Sequence, residues 1–159
     1  MTIYVLRHAI AETRRQGRPD AARELTPSGM RKLRMVLRRA RQAGVSPAVI
    51  LTSPYERAKQ TAEAAAESLG CRKVIITKAL VPSSSPADVW KQISGIEALS
   101  VLIVGHEPLL GQFVAFLLNC RDFELDLKKG TLVRLDVAVS EAHPTAVLKW
   151  MLTPKLAGA

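Results

Sequence analysis

Short apolar runs rich in β-branched residues alternate along the chain with longer stretches of helical periodicity, and this alternation constrains the fold more than any other feature. Such an order is typical of a mainly parallel β-sheet covered by helices. The predicted strands are Ile3–Leu6, Val49–Thr52, Val74–Thr77, Val101–Val104, Thr131–Val139 and Ala146–Leu152. Residues 140–144 join the last two and are few enough for an antiparallel hairpin. The predicted fold class is therefore α/β.

Four dipeptides that end in proline mark the predicted helix starts, because proline at the first helical position loses no hydrogen bond. They are Thr26-Pro27, Ser53-Pro54, Ser85-Pro86 and Glu107-Pro108. The residue before each proline can cap the helix by accepting a bond from a free backbone N–H, and Ser53 with Glu56 also fits a capping box. The predicted helices span residues 27–43, 54–68, 86–95 and 108–118.

No repeat, low-complexity tract or long linker divides the 159 residues, so we expect one domain over residues 1–159. The 48% apolar content suffices for a core without disulfides or a structural metal. Cys71 and Cys120 lack further cysteines or histidines at ligand spacing, and we expect both to be reduced. The N-terminus does not resemble a secretory signal, and no apolar stretch approaches the roughly 20 residues of a membrane span. These features predict a cytoplasmic protein.

Basic and imidazole side chains follow three predicted strands at their carboxyl ends, where open α/β sheets bind ligands. Arg7 and His8 follow the first strand, Arg57 comes shortly after the second, and His106 and Glu107 follow the fourth. If these strands are parallel neighbours, the side chains converge beside two helix N-termini. Guanidinium forks and free helical N–H groups bind phosphate oxygens, so the pattern predicts an anion site.

A histidine in such a cluster is a reasonable nucleophile toward phosphorus. Nearby guanidinium charge lowers the pKa of an imidazole and keeps the ring neutral, while phosphoryl transfer chiefly needs positioning and charge neutralisation.

Four ordered segments resemble the histidine phosphatase superfamily, specifically its small SixA-type phosphohistidine phosphatases. They are residues 6–12 (LRHAIAE), 25–29 (LTPSG), 53–62 (SPYERAKQTA) and 104–109 (VGHEPL). The resemblance implies a three-layer α/β/α, phosphoglycerate mutase-like fold whose mainly parallel sheet has one antiparallel strand near the C-terminus. Neither a metal nor a cofactor is implied.

The same resemblance assigns roles to the residues at the strand ends. His8 would become phosphorylated, Arg7 and Arg57 would hold the phosphoryl oxygens, and His106 would complete the pocket and stabilise the transition state. Water would then hydrolyse the phosphohistidine. We expect the backbone of Glu107 to contribute to phosphate binding; its side chain could move a proton, but we favour a cap for the following helix.

Two departures from the superfamily pattern bear on the substrate. Ala9 replaces the glycine of the common Arg-His-Gly motif, as in the SixA-like branch. Many relatives carry a carboxylate general acid in a mid-chain insertion, whereas residues 78–88 offer only three serines and Asp88. General acid catalysis is worth about 10²- to 10⁴-fold, so its loss should penalise phosphomonoesters with alkoxide leaving groups. Imidazole, with a pKa of about 6.5, leaves more easily.

These arguments predict a phosphohistidine phosphatase that acts on a partner protein, such as a histidine phosphotransfer or phosphocarrier domain. The absence of a capping insertion would leave the pocket open to a protein side chain. The alternative within the family is a small-molecule phosphomonoesterase, for which Glu107 would be the first candidate acid.

The charge of the chain suggests an alternative function outside the enzymes, a basic module that binds nucleic acid or phosphoproteins. The net charge is +9, and residues 1–42 carry +8 of it. In the helix predicted over 27–43, Met30, Leu33, Leu37 and Ala40 form an apolar stripe beside a basic ridge of Arg31, Arg34, Arg38 and Arg41. The ridge could dock an acidic protein, although a solvated face is preferred. Aromatic residues are only 4%, and without a stacking platform or a DNA-binding motif nucleic acid is disfavoured.

His143 and Glu12 are the two remaining candidates for a role in the site. His143 precedes Pro144 in a predicted turn and is assigned no role. Glu12 could orient the Arg7–His8 loop or have no function, and both interpretations stay open.

Overall fold

A computed structural model describes residues 1–120, 124–138 and 143–158. The strands are β1 (Thr2–Arg7), β2 (Val49–Thr52), β3 (Val74–Ile76), β4 (Ser100–Gly105), β5 (Leu132–Ala138) and β6 (Thr145–Leu152). The helices are α1 (Pro27–Gln42), α2 (Glu56–Leu69), α3 (Pro86–Ser94) and α4 (Leu109–Leu117), with 3₁₀ turns over Asp20–Ala22 and Lys78–Leu80. Every predicted strand and helix is present, and the observed ends either coincide with the predicted ones or differ by one or two residues.

The six strands form one sheet in the order β3-β2-β4-β1-β5-β6. β1, β2, β3 and β4 pair in parallel, whereas β5 is antiparallel to both β1 and β6. The prediction of a mainly parallel sheet with one antiparallel strand near the C-terminus is therefore confirmed. Residues 139–142, which include the predicted end of β5 at Val139 and most of the predicted turn, lie outside the described residues.

Apolar side chains pack on both faces of the sheet and confirm three layers. One core cluster joins the sheet to α1 and α2, for example through Leu37 and Ala62, and the other joins it to α3 and α4 through Ile93 and Phe113. The predicted stripe on α1 is buried at Leu33, Leu37 and Ala40 and half-buried at Met30. The four arginines of the basic ridge are exposed to solvent.

Two of the four predicted helix starts form as expected. The Thr26 hydroxyl accepts a bond from the Gly29 N–H (2.9 Å) at the start of α1, and Ser85 forms a capping box with Asp88 at the start of α3. The Ser53 cap is wrong: α2 begins at Glu56, and its N-cap residue makes no side-chain capping bond. Proline likewise precedes α4 rather than occupying its first turn.

Remaining predictions concern the cysteines and membrane segments. Cys71 is buried, Cys120 is exposed, and both are free thiols. Within residues 1–120, 124–138 and 143–158, no helix combines the length and apolarity needed to cross a bilayer.

Candidate active site

Three neighbouring parallel strands, β2, β4 and β1, bring the predicted site residues to one edge of the sheet. The backbone ladder continues past the strand ends, because the His8 N–H donates to the Gly105 carbonyl and the Ser53 N–H donates to the Val104 carbonyl, both at 3.1 Å. The residues that follow β1, β4 and β2 are thus held side by side at the carboxyl edge of the sheet. Close packing fixes the loop after β1 too, since a Cβ on Gly29 of α1 would lie 2.2 Å from the Ile10 carbonyl oxygen.

His8 lies in this edge with only 6% of its surface exposed, and its two ring nitrogens have different partners. Nδ1 lies 2.8 Å from the Ala9 carbonyl oxygen, and Nε2 lies 3.2 Å from Nε of Arg57. A carbonyl only accepts and a guanidinium only donates, so Nδ1 carries the proton and Nε2 presents its lone pair. Burial lowers the pKa of His8 to about 3, and the charges of Arg57, Arg7 and Lys129 act in the same direction.

His106 packs against His8, with ring centroids 5.0 Å apart. Its Nε2 lies 2.9 Å from the Ser53 hydroxyl, and its ring contacts that of Tyr55 at 4.9 Å. Burial lowers the pKa of His106 to about 3, and the neighbouring His8 and Arg57 reinforce the effect. Both imidazoles are therefore neutral at physiological pH.

Arg57 is 4% exposed and spreads its guanidinium between His8 and Asp20. Nη1 donates to the Asp20 carbonyl (2.8 Å), Nη2 donates to the Asp20 carboxylate (3.0 Å), and the guanidinium lies 4.9 Å from the Tyr55 ring centroid. Desolvation alone would raise the pKa of Asp20, but the charge and hydrogen bonds of Arg57 and Arg23 lower it below its ordinary value. The Asp20 carboxylate is therefore ionised, and its negative charge, together with the two hydrogen bonds that Asp20 accepts, orients the Arg57 guanidinium.

Arg7 reaches the same edge but turns toward the segment before β5. Its backbone N–H donates to the Thr131 carbonyl (3.1 Å), and its guanidinium donates to the Leu127 carbonyl. The structure thus brings His8, His106 and Arg57 into contact and places the Arg7 guanidinium beside them, close enough for its charge to act on both histidines.

Three buried side-chain atoms in the described part of the chain have no hydrogen-bond partner within the protein. They are Nε of Arg7, Nδ1 of His106 and Oγ1 of Thr131. All three residues lie at this edge, since Leu6 pairs with Leu132 and Arg7 therefore stands opposite Thr131. An unpaired buried polar atom costs about 1–3 kcal/mol, so such atoms are rare in structural cores, and three at one sheet edge are available to bind water, an ion or a ligand.

Glu107 lies one residue before Pro108, the N-cap of α4, and its carboxylate accepts a bond from the Gly111 N–H in the first turn at 3.0 Å, which agrees with the favoured role at the helix end. Burial raises the pKa of this carboxyl above its ordinary value. A role for its backbone in phosphate binding stays a prediction. Asp88, the one carboxylate of residues 78–88, is held at the start of α3 by Ser85.

Glu12 and His143 lie apart from the cluster of His8, His106 and Arg57. Glu12 forms an ion pair with Arg18 (2.7 Å), and its backbone N–H donates to the Glu24 carbonyl, so it ties together the loop that carries Asp20. His143 is exposed and packs against the Phe116 ring at 4.6 Å.

Sequence reasoning missed Asp20 and Thr131 and misjudged Ser53. Asp20 has no motif around it, and its contact with Arg57 joins residues 37 positions apart. Ser53 carried a signal, since it follows a strand whose neighbours end in histidines, but its local sequence favoured a helix cap.

Comparison with known proteins places this site in a family. A model of the histidine phosphatase superfamily (branch 1) matches residues 3–81. An uncharacterized protein of Picosynechococcus is 33% identical over 98% of both chains. The phosphohistidine phosphatase SixA of Escherichia coli K12 is 29% identical over 72% of this chain and 73% of its own.

Solved structures share the fold along nearly the whole chain. The protein histidine phosphatase SixA, complexed with tungstate, superposes with a TM-score of 0.84 at 24% identity and covers 98% of both chains. A mycobacterial glucosyl-3-phosphoglycerate phosphatase gives a TM-score of 0.70 at 16% identity, over 93% of this chain and 96% of its own. With its four motifs at one sheet edge, this chain belongs to the histidine phosphatase superfamily.

Proposed function

We propose that the protein is a phosphohistidine phosphatase, which takes a phosphoryl group from a histidine of a partner protein through a phospho-His8 intermediate. The observation that carries the proposal is the tautomer of His8, which the hydrogen bonds of its two ring nitrogens define. Its Nδ1–H is committed to the Ala9 carbonyl, and the lone pair of Nε2 faces a guanidinium donor. A neutral ring with a fixed tautomer is ready to attack, because no proton has to leave Nε2 first.

In the first step, Nε2 of His8 attacks phosphorus and the phosphorus–nitrogen bond of the substrate breaks. The departing imidazole keeps the electron pair of that bond and takes up a proton from solvent. In the second step, water attacks the phosphorus of phospho-His8, the phosphorus–Nε2 bond breaks with its electron pair returning to Nε2, and the proton lost by the water passes to solvent. Inorganic phosphate leaves, and neutral His8 is restored. Positioning and charge neutralisation supply most of the catalysis in phosphoryl transfer.

The arginines and His106 would stabilise the transferred group. Arg57 donates to His8 and Asp20, and a phosphoryl group bound at Nε2 can take over its N–H bonds. Arg7 Nε, which is a donor, and His106 Nδ1 are buried and have no protein partner in the described residues. If the Ser53 hydroxyl donates to Nε2 of His106, Nδ1 carries the proton and can donate to a phosphoryl oxygen.

The leaving group supports phosphohistidine over an ester. The only carboxylate of residues 78–88 caps α3, so no acid from that segment is available to protonate an alkoxide. Imidazole needs less assistance than an alkoxide because its conjugate acid has a pKa near 6.5 in a model peptide. SixA, which is similar to this chain in sequence and fold, is named for phosphohistidine hydrolysis.

One observation favours a second candidate, a small-molecule phosphomonoesterase. Burial raises the pKa of Glu107, directly after His106, and a carboxyl that stays protonated nearer neutral pH is suited to donate to an alkoxide. The structural likeness to a sugar-phosphoglycerate phosphatase is consistent with this alternative.

The test compares turnover of a phosphohistidine-bearing protein with turnover of a panel of small phosphomonoesters, with a chelator present. We expect a strong preference for phosphohistidine, and an acid-labile phosphoenzyme that disappears in His8→Ala. The matched control is His143→Ala, which removes an exposed histidine outside the site and should leave the phosphoenzyme intact.

Full turnover by His8→Ala would overturn the mechanism. A preference for esters would instead support the second candidate, and Glu107→Gln should then lower ester turnover by about 10²- to 10⁴-fold.

A further inference from the structure

A groove of about 790 Å³ adjoins the active site on the side of Arg7. Its lysines come from separate parts of the chain: Lys32 from α1, Lys128 and Lys129 from the segment before β5, and Lys155 from the segment after β6. We call these four residues and the space between them the lysine groove. Its lining also includes aliphatic side chains such as Ile10 and Met151.

Backbone hydrogen bonds fix the lysine groove relative to the nucleophile. The Gly130 N–H donates to the carbonyls of Arg7 (3.1 Å) and His8 (3.2 Å), directly after Lys128 and Lys129 in sequence. Arg7 lines the groove and belongs to the active site at the same time. A chain bound in the groove would therefore continue directly into the site.

The lysine groove carries an excess of positive charge. Its described lining holds five cations, the four lysines and Arg7, against the single carboxylate of Asp126. That carboxylate pairs with Lys128 at 2.6 Å, and both groups are well exposed. Lys32, Lys129 and Lys155 form no ion pair with any described residue. The groove is thus complementary to an acidic surface.

We propose that the lysine groove binds an acidic segment of the substrate protein, next to its phosphohistidine. This inference rests on the proposed function and adds the charge of the partner. A phosphoryl group bound at His8 does not account for a groove of this size, while a lining that combines apolar side chains with charged groups is typical of a protein interface. The described lining has no aromatic side chain on which a base could stack, which favours a protein over a single-stranded nucleic acid.

The inference can be tested with three synthetic peptides that each carry one phosphohistidine. The residues on both sides of it are glutamates in the first peptide, alanines in the second and lysines in the third. For the unmodified protein at low ionic strength, kcat/KM should fall in that order, with about tenfold between the first and the last. The order should flatten in salt, because exposed charges are screened.

The informative variant is Lys32→Glu combined with Lys155→Glu, since both side chains are exposed and come from different elements. It should lower kcat/KM for the glutamate peptide about tenfold and remove its advantage over the lysine peptide. Turnover of phosphoramidate, which is too small to contact Lys32 or Lys155, should stay within about twofold, because exposed charges act only weakly on a molecule that they do not contact.

The matched control is Arg38→Glu combined with Arg39→Glu, the same change of charge near the far end of α1. Both arginines are exposed, and α1 leads away from the sheet edge at which Thr26 contacts Ile10. The control should preserve the order of the three peptides.

Several results would overturn the inference. One is equal kcat/KM for the three peptides, and another is an equal loss in the groove variant and the control. A third is a groove variant that loses binding to a polynucleotide while the order of the peptides is unchanged. If the unmodified protein hydrolyses none of the peptides but does hydrolyse esters, the proposed function itself fails. Failure of the proposed function can be distinguished from failure of the groove inference, because the first is seen with the unmodified protein, before any variant is measured.

Discussion

Lowering the pH from 7.5 to 5 should destabilise the folded protein through His8 and His106. Both rings are buried, and burial lowers both pKa values to about 3, whereas an unfolded chain binds protons near the ordinary histidine pKa of 6.5. As the pH falls below 6.5, the unfolded state takes up protons that the folded state does not. Stability is therefore lost from about pH 6.5 downward, until the folded-state pKa near 3 is reached.

The size of the loss at pH 5 follows from the unfolded pKa alone, provided that the folded pKa lies well below 5. The pH is then about 1.5 units below the unfolded value, and each unit is worth about 1.4 kcal/mol. Each histidine should thus contribute a loss of about 2 kcal/mol, and the pair about 4 kcal/mol. That is a large share of the roughly 5–15 kcal/mol by which folded domains are stable.

Urea unfolding at pH 7.5 and pH 5 measures this loss as the change in the free energy of unfolding. Replacing His8 or His106 by asparagine should reduce the loss by about 2 kcal/mol each, because asparagine does not titrate. Other titrating groups are common to all the variants and cancel in the comparison. His143→Asn, at an exposed position, is the control and should keep the full loss. Identical losses in all variants would refute the assignment of neutral, buried imidazoles to the site.

The remaining predictions concern Arg57 and its partner. Arg57→Ala should lower kcat/KM toward phosphohistidine by about 10²- to 10³-fold, the usual loss when one donor that stabilises transition-state charge is removed. Steady-state kinetics measures this loss, and a clearly smaller one would contradict the role of Arg57. Asp20→Asn keeps an acceptor for Arg57 but removes one negative charge beside it. Inorganic phosphate should then inhibit about two- to fivefold more strongly, as expected for a partly exposed charge pair. Weaker inhibition would show that Asp20 serves chiefly to orient the guanidinium.

The fold could be predicted from the sequence because its signals are local and repeated. β2 has the predicted bounds, and the caps at Thr26 and Ser85 form as expected because each needs only residues three positions away. The antiparallel pairing of β5 with β6 was also accessible, since short connections favour hairpins. β1 and β4 each extend one residue beyond the predicted bounds at both ends because their pairing with each other continues there.

The active site was predictable only in part, because contacts between distant loops decide its geometry. His8, Arg57 and His106 could be found from their positions after strands, yet nothing local indicates that Asp20 holds Arg57. Ser53 shows the competition directly: a local pattern predicts a helix cap, but its hydroxyl accepts a bond from the Tyr55 N–H, before α2 begins, and also binds His106. Predictions from local sequence fail where a distant side chain offers a better partner.

The position of β1 inside the sheet has a consequence for local opening of the structure. β1 lies between β4 and β5, so the amide groups that lead into His8 are paired on both sides, whereas β3 and β6 lie at the edges of the sheet. Edge strands and loops open in small fluctuations, but central strands exchange their amide protons only in large-scale unfolding. We therefore expect the amide groups of β1, which lead into His8, to be among the slowest in the molecule to exchange, and those of the segment around Asp20, which lies outside the sheet, to exchange faster.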